Sequence, residues 1–196
     1  MAEVVLFHHV QGLTDGVRDF ADRLSTAGHR VHTPDLFEGQ HPASIEDGIA
    51  LVQSLGDDEL SERASRAIAE LPDRLVYAGF SLGAGTAQGF AQTRPDAAGA
   101  LLYEACLPIS GEWAIGPWPA GVPVQIHGMD HDPFFALEGD LDAARELVET
   151  VGPELAELFV YPGDRHLFTD SSLPSFDPGA TALVLERSVA FLERVG

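Results

Sequence analysis

A serine at position 81 sits in the stretch LVYAGFSLGAG, residues 75–85, where a short apolar run leads into Gly79-Phe80-Ser81-Leu82-Gly83 and small residues follow. Strand, G-x-S-x-G, helix is the setting of a nucleophile elbow, a sharp turn that exposes the serine hydroxyl. A side chain at position 79 or 83 would obstruct that turn. A serine hydroxyl is a weak nucleophile at neutral pH, so it needs a base within hydrogen-bond reach and a third group to orient the base. The chain supplies both downstream. Asp130 and Asp132 lie in Gly128-Met129-Asp130-His131-Asp132-Pro133. Asp132 is the preferred acid, because Pro133-Phe134-Phe135 would pack and hold its loop; Asp130 stays open as the alternative. His166 lies in Pro162-Gly163-Asp164-Arg165-His166 and is the only histidine after His131. The plainer reading is a glycine-rich turn with an incidental serine, an aspartate-rich turn and a surface histidine. The order Ser, Asp, His weighs against it, since it is one of the recurring orders for acyl-transfer chemistry.

Acyl transfer also needs two backbone N–H groups aimed at the developing oxyanion. Leu82, directly after the nucleophile, supplies one, and Val10, in the loop after the first apolar run, is the expected second. His8 and His9, with His131 and Asp130, raise a metal site as an alternative. Neighbouring residues on a strand point to opposite faces, so His8 and His9 do not suit one ion, and neither metal nor cofactor is expected.

The elements that must position these residues follow from apolar periodicity and breakers. Strands are expected at 4–8, 30–33, 75–80, 99–104, 122–128 and 157–161. Helices are expected at 17–27, 45–55, 59–71, from the elbow to about 93, 140–151 and 180–194. Ser44 is a candidate N-cap with Asp47 three residues on. The segment 107–121, with three prolines, three glycines and two tryptophans, is neither helix nor central strand. Strands alternating with helices imply one α/β domain over residues 1–196, with a mostly parallel central sheet and helices on both faces. Ligands bind such sheets at the carboxyl ends of the strands, where every candidate above falls.

Composition narrows the partners. The chain has 196 residues and a formal net charge of −20, with 31 acidic residues against 11 basic, all of them arginine. Such a surface repels phosphate backbones and anionic lipid, so neither nucleic acid nor membrane is expected. No apolar run approaches a membrane span, and the opening MAEVVLFHHV reads as a strand rather than a signal peptide. A cytoplasmic protein, monomeric or homodimeric, with a small-molecule substrate is the expectation. The single cysteine, Cys106, rules out an internal disulfide and reads as a core thiol.

The residues at 4–39 (VVLFHHVQGLTDGVRDFADRLSTAGHRVHTPDLFEG), 77–85 (YAGFSLGAG), 124–135 (VQIHGMDHDPFF) and 160–168 (VYPGDRHLF) resemble the dienelactone hydrolase family of the α/β-hydrolases. The resemblance runs over nearly the whole length. It implies a compact α/β-hydrolase domain with no separate cap, a nucleophile at Ser81, acid at Asp132, base at His166 and oxyanion donors at Val10 and Leu82. This chain departs from the family in four places. Ser81 stands where the namesake enzymes carry cysteine, and His9 stands near their oxyanion-loop glutamate. Asp170, four residues after His166, stands where they carry an arginine that holds the substrate carboxylate. Their N-terminal antiparallel strands have no counterpart before the strand at about Val4.

His9, Phe37, Phe80, Trp113, Phe134 and Phe168 are the expected substrate-binding residues, with Trp118, Phe135 and Leu167 completing an aromatic and apolar rim and 107–121 serving as a partial lid. Such a rim suits a small neutral ester, lactone or thioester, hydrolysed through an acyl-enzyme on Ser81. Two other readings stand beside it: a non-catalytic small-molecule-binding protein on the same fold, and a cyclase or lyase using His166 as base.

Overall fold

The computed structural model describes residues 1–196. Six strands, β1 (Glu3–Phe7), β2 (Arg30–His32), β3 (Val76–Phe80), β4 (Gly99–Tyr103), β5 (Val124–Met129) and β6 (Ala156–Tyr161), form one sheet in the order β2-β1-β3-β4-β5-β6. All five pairings are parallel. The helices are α1 (Asp15–Thr26), α2 (Ile45–Leu55), α3 (Asp57–Ile68), α4 (Leu82–Thr93), α5 (Asp140–Val151) and α6 (Pro178–Val195). Every element expected from the sequence is present, with no boundary moved by more than three residues.

Both faces of the sheet are covered, which is why β3 and β4 are buried at every position and read as continuous apolar runs rather than alternations. One core packs α3, α4 and α5 against Val5, Phe7, Tyr77, Leu102 and Ile126. The other packs α1 and α6 against Val4, Leu6, Ala78, Leu101 and Tyr103. Local signals set the helix starts. Thr14 accepts from the Val17 N–H, Ser44 from Asp47 and Asp177 from Ala180, each satisfying a donor the helix cannot.

The chain leaves β1 for β2 on one side and returns to β3 on the other, so the loops after β1 and β3 diverge and open a crevice between them. Two glycines close the base of that crevice. A Cβ on Gly79 would collide with the backbone of Gly83, and one on Gly83 would collide with the Phe7 and His8 carbonyls. The first turn of α4 is therefore seated directly against the end of β1.

On the far side of β1 the structure corrects one sequence expectation. His9 does not line a substrate pocket. It is buried, and its Nε2 donates to Asp170 Oδ2 at 2.7 Å, tying the loop after β1 to the segment after β6. Asp170 also accepts from Thr14 Oγ1 and from the N–H and hydroxyl of Ser172. It is a structural cross-link rather than a group facing substrate. Burial works against its charge, but the bonds from His9, Ser172 and Thr14 outweigh it and hold its pKa at about 2.

Breaking a buried pair by removing one partner costs about 3–5 kcal/mol. Asp170→Ala is expected to lose an amount of that order in urea unfolding. The folded pKa is depressed from 3.8, so the stabilisation is complete above that value and fades as pH falls towards 2. The difference between wild type and variant should therefore shrink through that acid window; a constant difference would show that the effect is packing alone.

Candidate active site

Ser81 stands between β3 and α4 with φ 49° and ψ −112°, a conformation that costs a residue with a Cβ. Its N–H donates to the Tyr103 carbonyl at 2.8 Å, which fixes the turn. Although Ser81 occupies the N-cap position of α4, its hydroxyl caps nothing. It donates instead to His166 Nε2 at 2.8 Å. His166 Nδ1 donates to Asp132 Oδ2, also at 2.8 Å. The other oxygen of Asp132 accepts the N–H groups of Phe134 and Phe135, at 2.8 and 3.2 Å, so the carboxylate is anchored at both ends.

The structure thus brings Ser81, His166 and Asp132 into one hydrogen-bonded chain. Asp130 faces elsewhere, accepting from the Gly163 N–H and from His131. His8 is held by the Leu36 N–H and the His9 carbonyl, and His9 by Asp170, so the histidines and Asp130 do not converge on one point.

The pKa of His166 reflects a contest. Burial disfavours the imidazolium, but the bond to Asp132 and the charges of Glu104, Asp132 and Asp140 outweigh it, and the pKa is raised above 6.5. The Leu82 and Val10 N–H groups have no acceptor inside the protein. Leu82 opens α4, where the helix dipole is positive. Val10 is buried in the loop after β1, its carbonyl against Gly48 of α2.

A cavity of about 840 Å³ opens above Ser81 and His166. Its apolar wall is Leu60, Ala64, Leu82, Phe90, Leu107, Ile115 and Phe134. Phe134 also packs its ring on His166, centroids 4.6 Å apart. Of the expected rim, Phe134 alone lines this space. Phe80 immediately precedes Ser81, so strand alternation sends it to the opposite face, where it packs with Tyr103 and Phe20 at 4.9 and 5.0 Å. Phe37 is buried edge-on to His8, and Phe168 packs on Tyr161. Phe135 fills the space beside Gly128, Leu167 is buried, and the Trp118 indole donates to the Val122 carbonyl. Trp113 points to solvent, 82% exposed. Segment 107–121 reaches the cavity through Leu107 and Ile115, fastened to α4 by Gln88 and Gln92.

The sequence reading did not select the acidic wall: Asp57, Glu104, Glu138 and Asp140. Glu104 is the most constrained of these. It follows β4 with φ 63° and is 1% exposed. Its Oε1 accepts from the Thr169 N–H and hydroxyl, while its Oε2 has no partner. Burial pushes its pKa up to about 7, against the opposing pull of His166 and the Thr169 bonds. The only available signal is a lone carboxylate ending an apolar strand. Asp140, at the start of α5, accepts the Cys106 N–H, and burial raises its pKa. Cys106 is buried, and burial likewise pushes its thiol up.

A family model for the dienelactone hydrolase family matches residues 1–196. No curated protein matches the sequence. Among solved structures, a dienelactone hydrolase-like promiscuous phosphotriesterase from metagenomic libraries superposes with a TM-score of 0.74 at 17% identity, covering 100% of this chain and 87% of its own. A Klebsiella pneumoniae protein assigned as a dienelactone hydrolase gives 0.75 at 19%, covering 99% and 87%. Thermogutta terrifontis esterase 2 gives 0.66 at 19%, covering 100% and 84%. At these identities the likeness to solved structures is one of fold. The chain belongs to the dienelactone hydrolase family, and with it to the ester-type hydrolases of the α/β class.

An acid whose folded pKa is raised destabilises the protein as pH climbs from its unfolded value, 4.5, through its folded value, about 7. Glu104→Gln removes that penalty and is expected to raise thermal stability above neutrality by an amount on the order of 1 kcal/mol, after the cost of the amide's own unmet donors. Below pH 4.5 the advantage should disappear. Melting curves across pH would refute this if the variant were equally destabilised throughout.

Proposed function

We propose that this member of the dienelactone hydrolase family is a serine hydrolase that cleaves a small ester, lactone or thioester through an acyl-enzyme on Ser81. The observation that carries the reading is the unbroken chain from the Ser81 hydroxyl through His166 to the buried Asp132, with 2.8 Å at each link. Ser81 Oγ attacks the substrate carbonyl while His166 Nε2 takes its proton. The oxyanion that forms is held by the free N–H groups of Leu82 and Val10. The tetrahedral intermediate collapses, the bond to the leaving alcohol or thiol breaks, and His166 returns the proton to it. Water, deprotonated by the same nitrogen, then releases the acid from Ser81. Asp132 fixes the ring and balances its transient charge.

No helix of the protein is long and apolar enough to cross a membrane. We read the chain as acting in the cytoplasm on a soluble substrate, away from anionic lipid, which its acidic composition repels.

Exposure to a fluorophosphonate should add a single mass adduct to wild-type protein and none to Ser81→Ala. Well-folded wild-type protein that takes up no adduct would overturn the proposal. His166 acts as base only when neutral, and its pKa is raised, so kcat/KM for an ester is expected to rise along an acid limb with its midpoint above 6.5. Asp132→Asn should lower kcat by roughly 10³–10⁴.

A further inference from the structure

We propose that the cavity beside Ser81 contains a subsite for an organic ammonium group, built on Glu104 with Asp140, so that the enzyme prefers esters carrying a protonated amine close to the reacting carbonyl. The proposal rests on the hydrolase reading above and names the substrate class for the same site.

Sheet register carries the first step. Phe80 pairs with Tyr103 across β3 and β4, so the next residues along, Ser81 and Glu104, leave neighbouring strands side by side. Ser81 N–H donates to the Tyr103 carbonyl at 2.8 Å and holds that junction, while Glu104 N–H donates to the His127 carbonyl at 2.7 Å and fixes the end of β4 against β5. Adjacent strands lie about 4.8 Å apart, so the two residues leave their strands as close neighbours, and both line the cavity.

The second step is the orphan oxygen. Glu104 is almost wholly buried, yet Oε2 has no donor within the protein, while Oε1 has two, both from Thr169. A buried carboxylate oxygen without a partner is costly, and a ligand that brings N–H donors and positive charge relieves that cost. The alternative partner would be a cation from the protein itself. None is available: the cavity wall includes no arginine, and the chain has no lysine.

The third step is the sign of the wall. Asp57, Glu138 and Asp140 join Glu104, and His166, the base, is the one group there able to carry positive charge. A substrate carboxylate would meet this field at short range in a partly desolvated space, where charge pairs count for more than in water. A primary ammonium is drawn to it. Leu60, Phe90, Leu107 and Phe134 leave the rest of the cavity apolar, which suits an aliphatic or aromatic side chain beside the amine.

The test uses three isosteric ethyl esters: leucine ethyl ester, its analogue with methyl in place of the ammonium, and its analogue with carboxylate in that place. On the wild-type protein kcat/KM should favour the ammonium ester over the methyl ester by tenfold or more, and over the carboxylate ester by a wider margin. In Glu104→Gln the ammonium-to-methyl ratio should collapse towards one. The ratio is the readout, because any effect of Glu104 on His166 acts on both esters alike. A wild-type ratio of one or less overturns the proposal without recourse to a variant. So does a ratio that survives in both Glu104→Gln and Asp140→Asn. If none of the esters is turned over, calorimetric titration of Ser81→Ala protein with leucinol separates the two readings. Binding that weakens when Glu104→Gln is added supports the subsite, and absence of binding overturns it; the hydrolase reading is decided separately by fluorophosphonate labelling of Ser81.

Discussion

The close seating of α4 on the end of β1 is the constraint on which the site depends. Gly83 lies so near the Phe7 and His8 carbonyls, and Gly79 so near Gly83, that neither position has room for a Cβ. This contact fixes where the first turn of α4 begins relative to the loop after β1. That in turn sets Leu82, whose N–H has no acceptor in the protein, at the cavity beside Ser81. It also forces Ser81 into a positive φ that a serine does not otherwise favour. The strain is sustained because the strand before it is buried on every side and the helix after it packs Ala84, Ala87 and Ala91 into the core. Small residues on that face of α4 let the helix lie close to the sheet. Larger ones would lift the helix and open the turn.

Much of this was legible in the chain itself, because the elements that build the scaffold are long, periodic and punctuated. The helix at 45–55 has a serine cap in front of it and a glycine behind, and the helix at 140–151 is likewise bounded by glycines. Ser81, Asp132 and His166 each sit just beyond a strand, where spacing alone points to a common rim. The aromatic residues were not legible in the same way. A phenylalanine in a loop carries no mark of which core it enters. Phe80 and Phe168 lie on the face covered by α1 and α6, and Phe37 in the core beside His8. The sequence places residues at the rim by their distance along the chain from a strand, whereas their side-chain direction is set by alternation and packing. Glu104 was missed for the complementary reason. A single glutamate after an apolar strand looks like a solvated strand end, and only the pairing of β3 with β4 puts it beside the serine.

The electrostatics of the site are unusual in carrying more acid than one imidazole needs. Asp132 orients His166 and stabilises its charged form, but Glu104 and Asp140 act on the same ring through space. A proton held more firmly by His166 makes it a stronger base once neutral and leaves a smaller neutral fraction at a given pH. Glu104 is itself shifted upward by burial to about 7, so its charge and that of His166 are mutually dependent. The two groups form a pair in which a proton on the carboxyl weakens the field that retains the proton on the ring.

The fate of Asp170 bears on what the site can recognise. It occupies the place, four residues after His166, where the namesake enzymes of the family hold a substrate carboxylate with arginine. In this chain it lies in a closed network with His9, Thr14 and Ser172. It therefore neither attracts nor repels a ligand directly. Its effect is to remove a cation from that side of the fold and to use the position for fastening the loop after β1. The acidic residues of the cavity are others, Asp57, Glu104, Glu138 and Asp140, and no arginine lines it. Asp170 thus serves the fold rather than the cavity: its bonds fasten the loop after β1 to the segment after β6.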